Sequence, residues 1–407
     1  MSNSRVAVYT DFVYRRQGET VWAEHAFVLF IGRLADHLGG LVVVGREDKR
    51  GGTWNYRLPE GVEFVPLPYY PSLAGALRSV PAMAASLSAF WRTLAGVDAV
   101  WLLGPTPLTI LFAALARLRG RAVVLGVRQD LPRYARSRHP HRPAVWAAAL
   151  ALEALHRVIA RRLSVVAVGP ELARAYRRAR RLLPLSVSLV SEADIETRER
   201  ALERSYEGEL RVLSVGRIDA EKNPLLLADV LQRLGRGERR WRLVVCGEGP
   251  MDGELRRRLE ALGVEDRAEL RGYVPLGGGL FELYRESHLF LHVSSTEGLP
   301  QVLFEAFAAG LPTVATAVGS VPEVARDSAL LIPPEDPDAA AEALERLATD
   351  SSVRERLVTC GLERASSHTV EAESARVARF IEQATSDPWL RSHTRRGLGT
   401  RPALEPE

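Results

Sequence analysis

Leu210-Arg211-Val212-Leu213-Ser214-Val215-Gly216-Arg217-Ile218-Asp219-Ala220-Glu221-Lys222-Asn223-Pro224 holds a strand, a turn and a helix start in one short stretch. The run Leu210–Val215 is apolar and nearly unbroken, the pattern of a strand covered on both faces. Gly216 ends it. Asn223 reads as a helix N-cap and Pro224 as the first helical residue. Arg217 and Lys222 then lie on a loop at the strand's carboxyl end, beside free helix amides. Two cations and such amides suit a diphosphate. An ordinary loop with two surface cations would read the same way.

Working outward, the same alternation recurs. Val6–Tyr9, Leu41–Val44, Val62–Val65, Ala99–Leu103, Ala122–Val127 and Val165–Val168 read as buried strands before the quoted stretch. Leu243–Cys246, Glu269–Arg271, Leu289–Val293 and Thr313–Ala315 read so after it. Helix-like segments such as Val21–Leu38 and Leu108–Leu118 lie between them. The pattern predicts an α/β protein of two doubly wound, Rossmann-like domains facing a central cleft, with ligands outside the strands' carboxyl ends. We expect a first domain over 1–190, a linker over 191–209, a second domain over 210–369, and a helix near 370–385 returning to the first. Residues 388–407 are expected to be a disordered tail.

The length of 407 residues agrees with two domains, and 46% hydrophobic with 26% charged residues excludes wholesale disorder. The most apolar long segment, Ala144–Ala160, is broken by Glu153, His156 and Arg157, which argues against a spanning helix. The absence of a leader-like start predicts a cytoplasmic location. Cys246 and Cys360 are too few for a disulfide framework. The net charge of +4 hides an asymmetry: residues 1–200 carry 28 basic and 16 acidic side chains, while 201–407 carry 26 and 34. A basic first half can face an anionic lipid surface or a phosphorylated substrate, or be a solvated surface. Only two of the 54 basic residues are lysines, Lys49 and Lys222.

A second site follows the strand Leu289–Val293: Ser294-Ser295-Thr296-Glu297-Gly298-Leu299-Pro300-Gln301-Val302-Leu303-Phe304-Glu305. Pro300 suits a first helical turn, and Gly310-Leu311-Pro312 ends the helix. Glu305 lies among apolar neighbours and needs hydrogen-bond donors. Ribose hydroxyls would serve Glu305 and sugar hydroxyls Glu297, with amides around Gly298, Leu299 and Pro300 facing phosphate or sugar. The alternative is a core pairing of Glu305 with an arginine.

The series Gly216-Arg217…Lys222, Gly247-Glu248-Gly249, Gly272-Tyr273-Val274 and Glu297-x7-Glu305 resembles the family 4 glycosyltransferases of the GT-B fold. It continues through Gly310-Leu311-Pro312 and Gly319-Ser320-Val321-Pro322-Glu323, so it covers roughly 210–365. The resemblance implies a retaining transfer of sugar from a nucleotide-diphosphate donor to an acceptor in glycoconjugate biosynthesis. Arg217 and Lys222 would hold the diphosphate, Glu297 the donor sugar and Glu305 the ribose. Backbone around Tyr273 and Val274 would take the base, with Gly216, Gly247 and Gly249 shaping the pocket. No cofactor or metal is expected; Asp336-Pro337-Asp338 reads as a helix cap and first turn.

The first half matches only in general pattern. Asp11–Thr20 has one glycine, Gly18, where the family has a Gly-rich turn. Arg128 of Arg128-Gln129-Asp130 stands where many members have His, and arginine is no general base. It can bind an acceptor phosphate, a carboxylate or the donor sugar. Gly18, His25, Arg128 and Asp130 are the acceptor-side candidates. Arg177–Arg181 suits anionic lipid or a solvated helix face. Nucleic acid is not expected, since no aromatic interleaving accompanies the basic residues. A dehydrogenase is disfavoured by the missing Gly-x-Gly-x-x-Gly after the first strand. Two rival readings are a non-catalytic GT-B partner protein and another sugar-nucleotide enzyme on the same fold.

Overall fold

The structure, a computed structural model, describes residues 4–48, 54–70, 76–139 and 141–387. The tail 388–407 and Lys49 lie outside them. The chain divides into two compact units. The first comprises residues 1–168, 172–185 and 374 onward; the second comprises 169–171 and 186–373. Each unit is built on its own sheet.

Among the described residues unit 1 contains nine strands: β1 (Arg5–Gln17), β2 (Thr20–Ala23), β3 (Gly40–Glu47), β4 (Tyr56–Arg57), β5 (Glu63–Pro68), β6 (Ala99–Gly104), β7 (Ala122–Val127), β8 (Ser164–Val168) and β9 (Arg181–Leu185). The parallel part runs β5-β3-β1-β6-β7-β8-β9. The order reverses direction between β1 and β6. Val6, Ala7, Val8, Tyr9 and the whole of β7 are buried, as continuous apolar runs require when helices cover both faces.

The course of the backbone departs from the sequence reading at several places, three of them large. First, β1 does not stop at Tyr9. It continues through the stretch expected as a turn, and after a register shift pairs antiparallel with β2, Tyr14 opposite Ala23. The helix expected over Val21–Leu38 is therefore shorter, Phe27–Ala35, because Val21 and Ala23 are sheet residues. Second, Arg177–Arg180 form a turn rather than a helix face, and Arg181 opens β9, whose Pro184 is tolerated on an edge strand. Third, residues 191–209 are no open linker. They fold within unit 2, where Ala201 packs with Val358 and Leu362.

Unit 2 contains β10 (Glu209–Val215), β11 (Arg240–Cys246), β12 (Ala268–Gly272), β13 (Leu289–His292), β14 (Thr313–Thr316) and β15 (Ala329–Ile332). They form one parallel sheet in the order β12-β11-β10-β13-β14-β15, with reversal between β10 and β13. Both faces of this sheet are packed. Val212, Leu243 and Leu291 serve one core cluster, and Leu213, Val244 and Phe290 serve the other. The helix Val370–Thr385 is shared, since Val370–Glu373 cluster with unit 2 and Ser374 onward with unit 1. Its Arg376 donates to the Pro184 carbonyl at 3.2 Å.

Candidate functional site

The reversal between β10 and β13 in unit 2 opens a crevice at the strands' carboxyl ends, the place where such sheets bind ligands. The loops there are tied together by backbone hydrogen bonds. Gly216 N–H donates to Cys246 O at 3.0 Å, Gly247 N–H to Gly272 O at 2.7 Å, and Ser295 N–H to Glu221 O at 2.9 Å. Gly247 has φ +146°, and a Cβ there would lie 1.8 Å from Gly216 O; one on Gly249 would lie 2.2 Å from Ile218 O. Only glycine permits this approach.

The loop after β10 is capped differently from expectation. Asp219 accepts from Lys222 N–H at 3.2 Å and starts a short 3-10 turn, Ala220–Lys222. Asn223 takes the left-handed conformation, φ 50°, and Pro224 occupies the cap position of the helix Leu225–Leu234. The tight turn wins over direct capping because Asp219 supplies the acceptor three residues earlier. It leaves Lys222 aimed across the crevice.

There Lys222 Nζ pairs with Glu297 Oε1. The same oxygen accepts from Ser294 Oγ at 2.8 Å and from His292 Nε2 at 2.9 Å. Glu297 is 7% exposed. Burial alone would raise its carboxyl, but the His292 hydrogen bond and the Lys222 charge outweigh that and bring it down to about 2. An ammonium has three N–H bonds, so Lys222 keeps two for another acceptor. His292 Nδ1 is buried without a hydrogen-bond partner. Arg217 is 63% exposed on its side chain and pairs with Asp219 at 2.8 Å and Glu221 at 3.3 Å. An exposed pair such as that with Glu221 is worth about 0–1 kcal/mol, so an incoming anion can displace it at little cost.

Glu305 lies on the helix Gln301–Ala308 and has a phenol for partner, not the arginine of the alternative reading. Tyr284 OH donates to its Oε2 at 2.8 Å. No described residue hydrogen-bonds Oε1. Burial pushes this carboxyl up to about 7, opposed by the Tyr284 bond. Pro300 caps that helix instead of starting it, and Gly298 has nothing within 4 Å of a Cβ position. Leu299 and Val274 pack on the second core cluster. Tyr273 is 45% exposed, and its N–H donates to Glu248 Oε1 at 3.2 Å.

The structure thus gathers Lys222 with Glu297 and places Glu305 one turn into the next helix. It adds His292 and Tyr284, which the sequence reading missed, and gives Ser294, quoted there without a role, a hydrogen bond to Glu297. His292 closes β13 five residues before Glu297, and that position was its available signal. Asp336 accepts from Ala339 N–H at 2.9 Å as a helix cap.

In unit 1 the acceptor-side candidates divide. Arg128 lies over the rings of Phe12 and Phe27, 4.9 and 4.1 Å from their centroids, and His25 stacks on Phe12 at 4.5 Å. Gly18 instead sits at the β1–β2 hairpin turn with φ 60°. Asp130 caps the helix Leu131–Arg138, accepting from Arg133 N–H at 2.9 Å.

Residues 195–364 match the family described as glycosyl transferases group 1. Over 184 residues the chain is 30% identical to alpha-D-kanosaminyltransferase of Streptomyces kanamyceticus, covering 44% of this chain and 47% of that one. Over 141 residues it is 30% identical to the phosphatidylinositol N-acetylglucosaminyltransferase gpi3 subunit of Schizosaccharomyces pombe, covering 35% and 31%. The match spans less than half the length of these curated relatives. HepE of Anabaena, solved with UDP and glucose, superposes with a TM-score of 0.65 at 16% identity, over 93% of this chain and 100% of that one. That likeness is of fold, GT-B.

Proposed function

We propose that this chain, whose residues 195–364 match the group 1 glycosyltransferases, moves a sugar from a nucleoside-diphosphate donor to an acceptor with retention of configuration. One observation carries the reading. Lys222, from the loop after β10, and Glu297, from the loop after β13, meet in a buried cluster at the sheet's switch point. Lys222 retains N–H bonds for phosphate, and Glu305 retains Oε1 for a ribose hydroxyl. The sugar-transferring relatives support the same reading.

In the proposed step the acceptor hydroxyl attacks the anomeric carbon from the face the diphosphate leaves. The carbon–oxygen bond to the diphosphate breaks, and its departing phosphate oxygen takes the hydroxyl proton. Arg217 and Lys222 neutralise the charge growing on that oxygen, which is preorganised electrostatic stabilisation. Glu297, held ionised, orients the donor sugar through its hydroxyls. Tyr273, Val274 and the backbone of Gly216, Gly247, Gly249, Gly298, Leu299 and Pro300 line the donor pocket. No resident metal or cofactor is invoked, and we expect turnover to survive EDTA.

Unit 1 is read as the acceptor-binding unit of a cytoplasmic protein touching an anionic membrane face. The helix Pro143–Ala160 is the one described helix long and apolar enough to cross a membrane by length and composition. Its polarity is inverted: Glu153 and His156 are buried against Tyr176, while Leu150, Leu155 and Val158 are exposed. Leu118, 77% exposed at the end of the helix Pro107–Leu118, adds a further apolar side chain to the surface of this unit. A cavity of about 480 Å³ is lined by Ile110, Arg117, Val158, Arg161 and Arg162 among others. Burial, then repulsion from Arg162 and Arg180, lowers the Arg117 guanidinium. Apolar side chains among crowded arginines suit a surface of anionic lipid.

The test of the donor site is thermal stability against UDP, GDP, ADP and dTDP, with Lys222→Ala beside the wild type. A nucleotide at about a hundred times its Kd stabilises by about 2.7 kcal/mol. We expect one base to stabilise the wild type and not the variant. No shift from any at millimolar concentration would favour the non-catalytic partner reading.

A further inference from the structure

The reversal between β1 and β6 in unit 1 is a second switch point, and Arg128 follows β7, the strand next to β6. Its N–H reaches Gly104 O, at the end of β6, at 3.5 Å. Its guanidinium carbon lies 4.9 Å from the Phe12 ring centroid and 4.1 Å from that of Phe27, two rings inclined at 75° to one another. No carboxylate among the described residues forms an ion pair with it. The neighbouring polar groups are engaged elsewhere. Asp130 caps a helix, Tyr14 OH is bonded to Thr10 Oγ1 at 2.9 Å, and Asp11 is paired with Arg46 at 3.2 Å and accepts from Tyr70 OH at 2.9 Å.

A sheltered charge without a counter-ion is costly, and a fold keeps one where a partner arrives from outside. Cation–π contact with the rings uses the charge of the guanidinium without consuming its N–H bonds, which can form the planar fork that matches a carboxylate or phosphate. His25 adds a second donor. Its Nδ1 accepts from Phe27 N–H at 3.3 Å, so the neutral ring carries its proton on Nε2. Desolvation, then the Arg128 charge, lowers this imidazole to about 4, which keeps it neutral near pH 7.

We propose that Arg128, with His25 on the same aromatic cluster, binds the anionic group of a sugar substrate, a carboxylate or a phosphate ester, so that this enzyme works on a charged sugar. The proposal rests on the reading of the chain as a sugar transferase. It differs from the donor-diphosphate site in unit, residues and ligand group.

The test is binding of glucose 6-phosphate, glucuronate and glucose to the full chain, followed by thermal stability and titration calorimetry without nucleotide. Wild type, Arg128→Gln and Arg128→Lys are compared. We expect an anionic sugar to bind the wild type better than glucose does, and Arg128→Gln to weaken it by about tenfold or more. Arg128→Lys, which keeps the charge but loses the fork, should fall between. Preference for glucose 6-phosphate names a phosphate ester, and preference for glucuronate a carboxylate. Binding of neither anion, or anion binding unchanged in Arg128→Gln, overturns the proposal. The nucleotide panel on the same three proteins reports folding and the donor site separately. A nucleotide shift without an anion effect removes only this inference; no nucleotide shift in any of them removes the transferase reading.

Discussion

Glu297 and Glu305 are eight residues apart and titrate in opposite directions, to about 2 and about 7. The difference is in donors: Lys222, His292 and Ser294 serve Glu297, while Glu305 has only Tyr284. A raised folded pKa means that Glu305 contributes stability fully below its ordinary 4.5, and loses it as pH rises through about 7. Glu305→Gln cannot ionise and keeps an acceptor for Tyr284. We expect it to gain on the wild type between pH 5 and pH 8 by on the order of 1–3 kcal/mol. Urea unfolding of both proteins at the two pH values checks this; parallel curves would mean that Glu305 is not desolvated. The carboxylates and cations were legible as residue types because charge amid apolar neighbours is conspicuous. Their partners were not, since Lys222 and Glu297 are brought together only by folding.

At the scale of elements, most buried strands declare themselves by continuous apolar runs, and β1, β3, β6, β7, β8, β10, β11, β13 and β14, with the less buried β5 and β12, are found where the sequence suggests. The strands missed are β2, β4, β9 and β15, which are short or carry arginine and proline. Their pairing comes from neighbours rather than from their own pattern. The tight loops of unit 2 depend on glycine in a way a substitution can expose. Gly247→Ala places a Cβ 1.8 Å from the Gly216 carbonyl, whereas Gly208→Ala, at φ +77°, meets nothing within 4 Å. Backbone strain of about 1–3 kcal/mol is common to both, so Gly247→Ala should lose clearly more stability and also the nucleotide shift. Equal melting temperatures for the two variants would show that the close approach is not what constrains Gly247.

For the whole molecule, the basic excess of the first half of the sequence falls largely within unit 1, whose cavity is lined by Arg117, Arg161 and Arg162. The inverted helix Pro143–Ala160 and the arginines around Arg117 predict flotation with vesicles containing anionic lipid, and little with neutral ones. Burying a leucine or valine contributes about 1.5–3 kcal/mol, so Leu118→Ser with Val158→Ser should reduce vesicle binding about tenfold or more. High salt should weaken it as well. Unchanged flotation in the double variant, or equal flotation with neutral vesicles, would remove the membrane face. By itself the sequence determined two α/β units and the residue types of the proposed donor site, because periodicity, loop punctuation and isolated charges are local properties. Tertiary structure alone decided that Lys222 pairs with Glu297, that Tyr284 holds Glu305, that residues 191–209 pack as part of unit 2, and that Arg128 lies against two aromatic rings with no ion pair among the described residues. Those outcomes depend on which strands lie side by side, and strand order is set by packing among residues far apart in the chain.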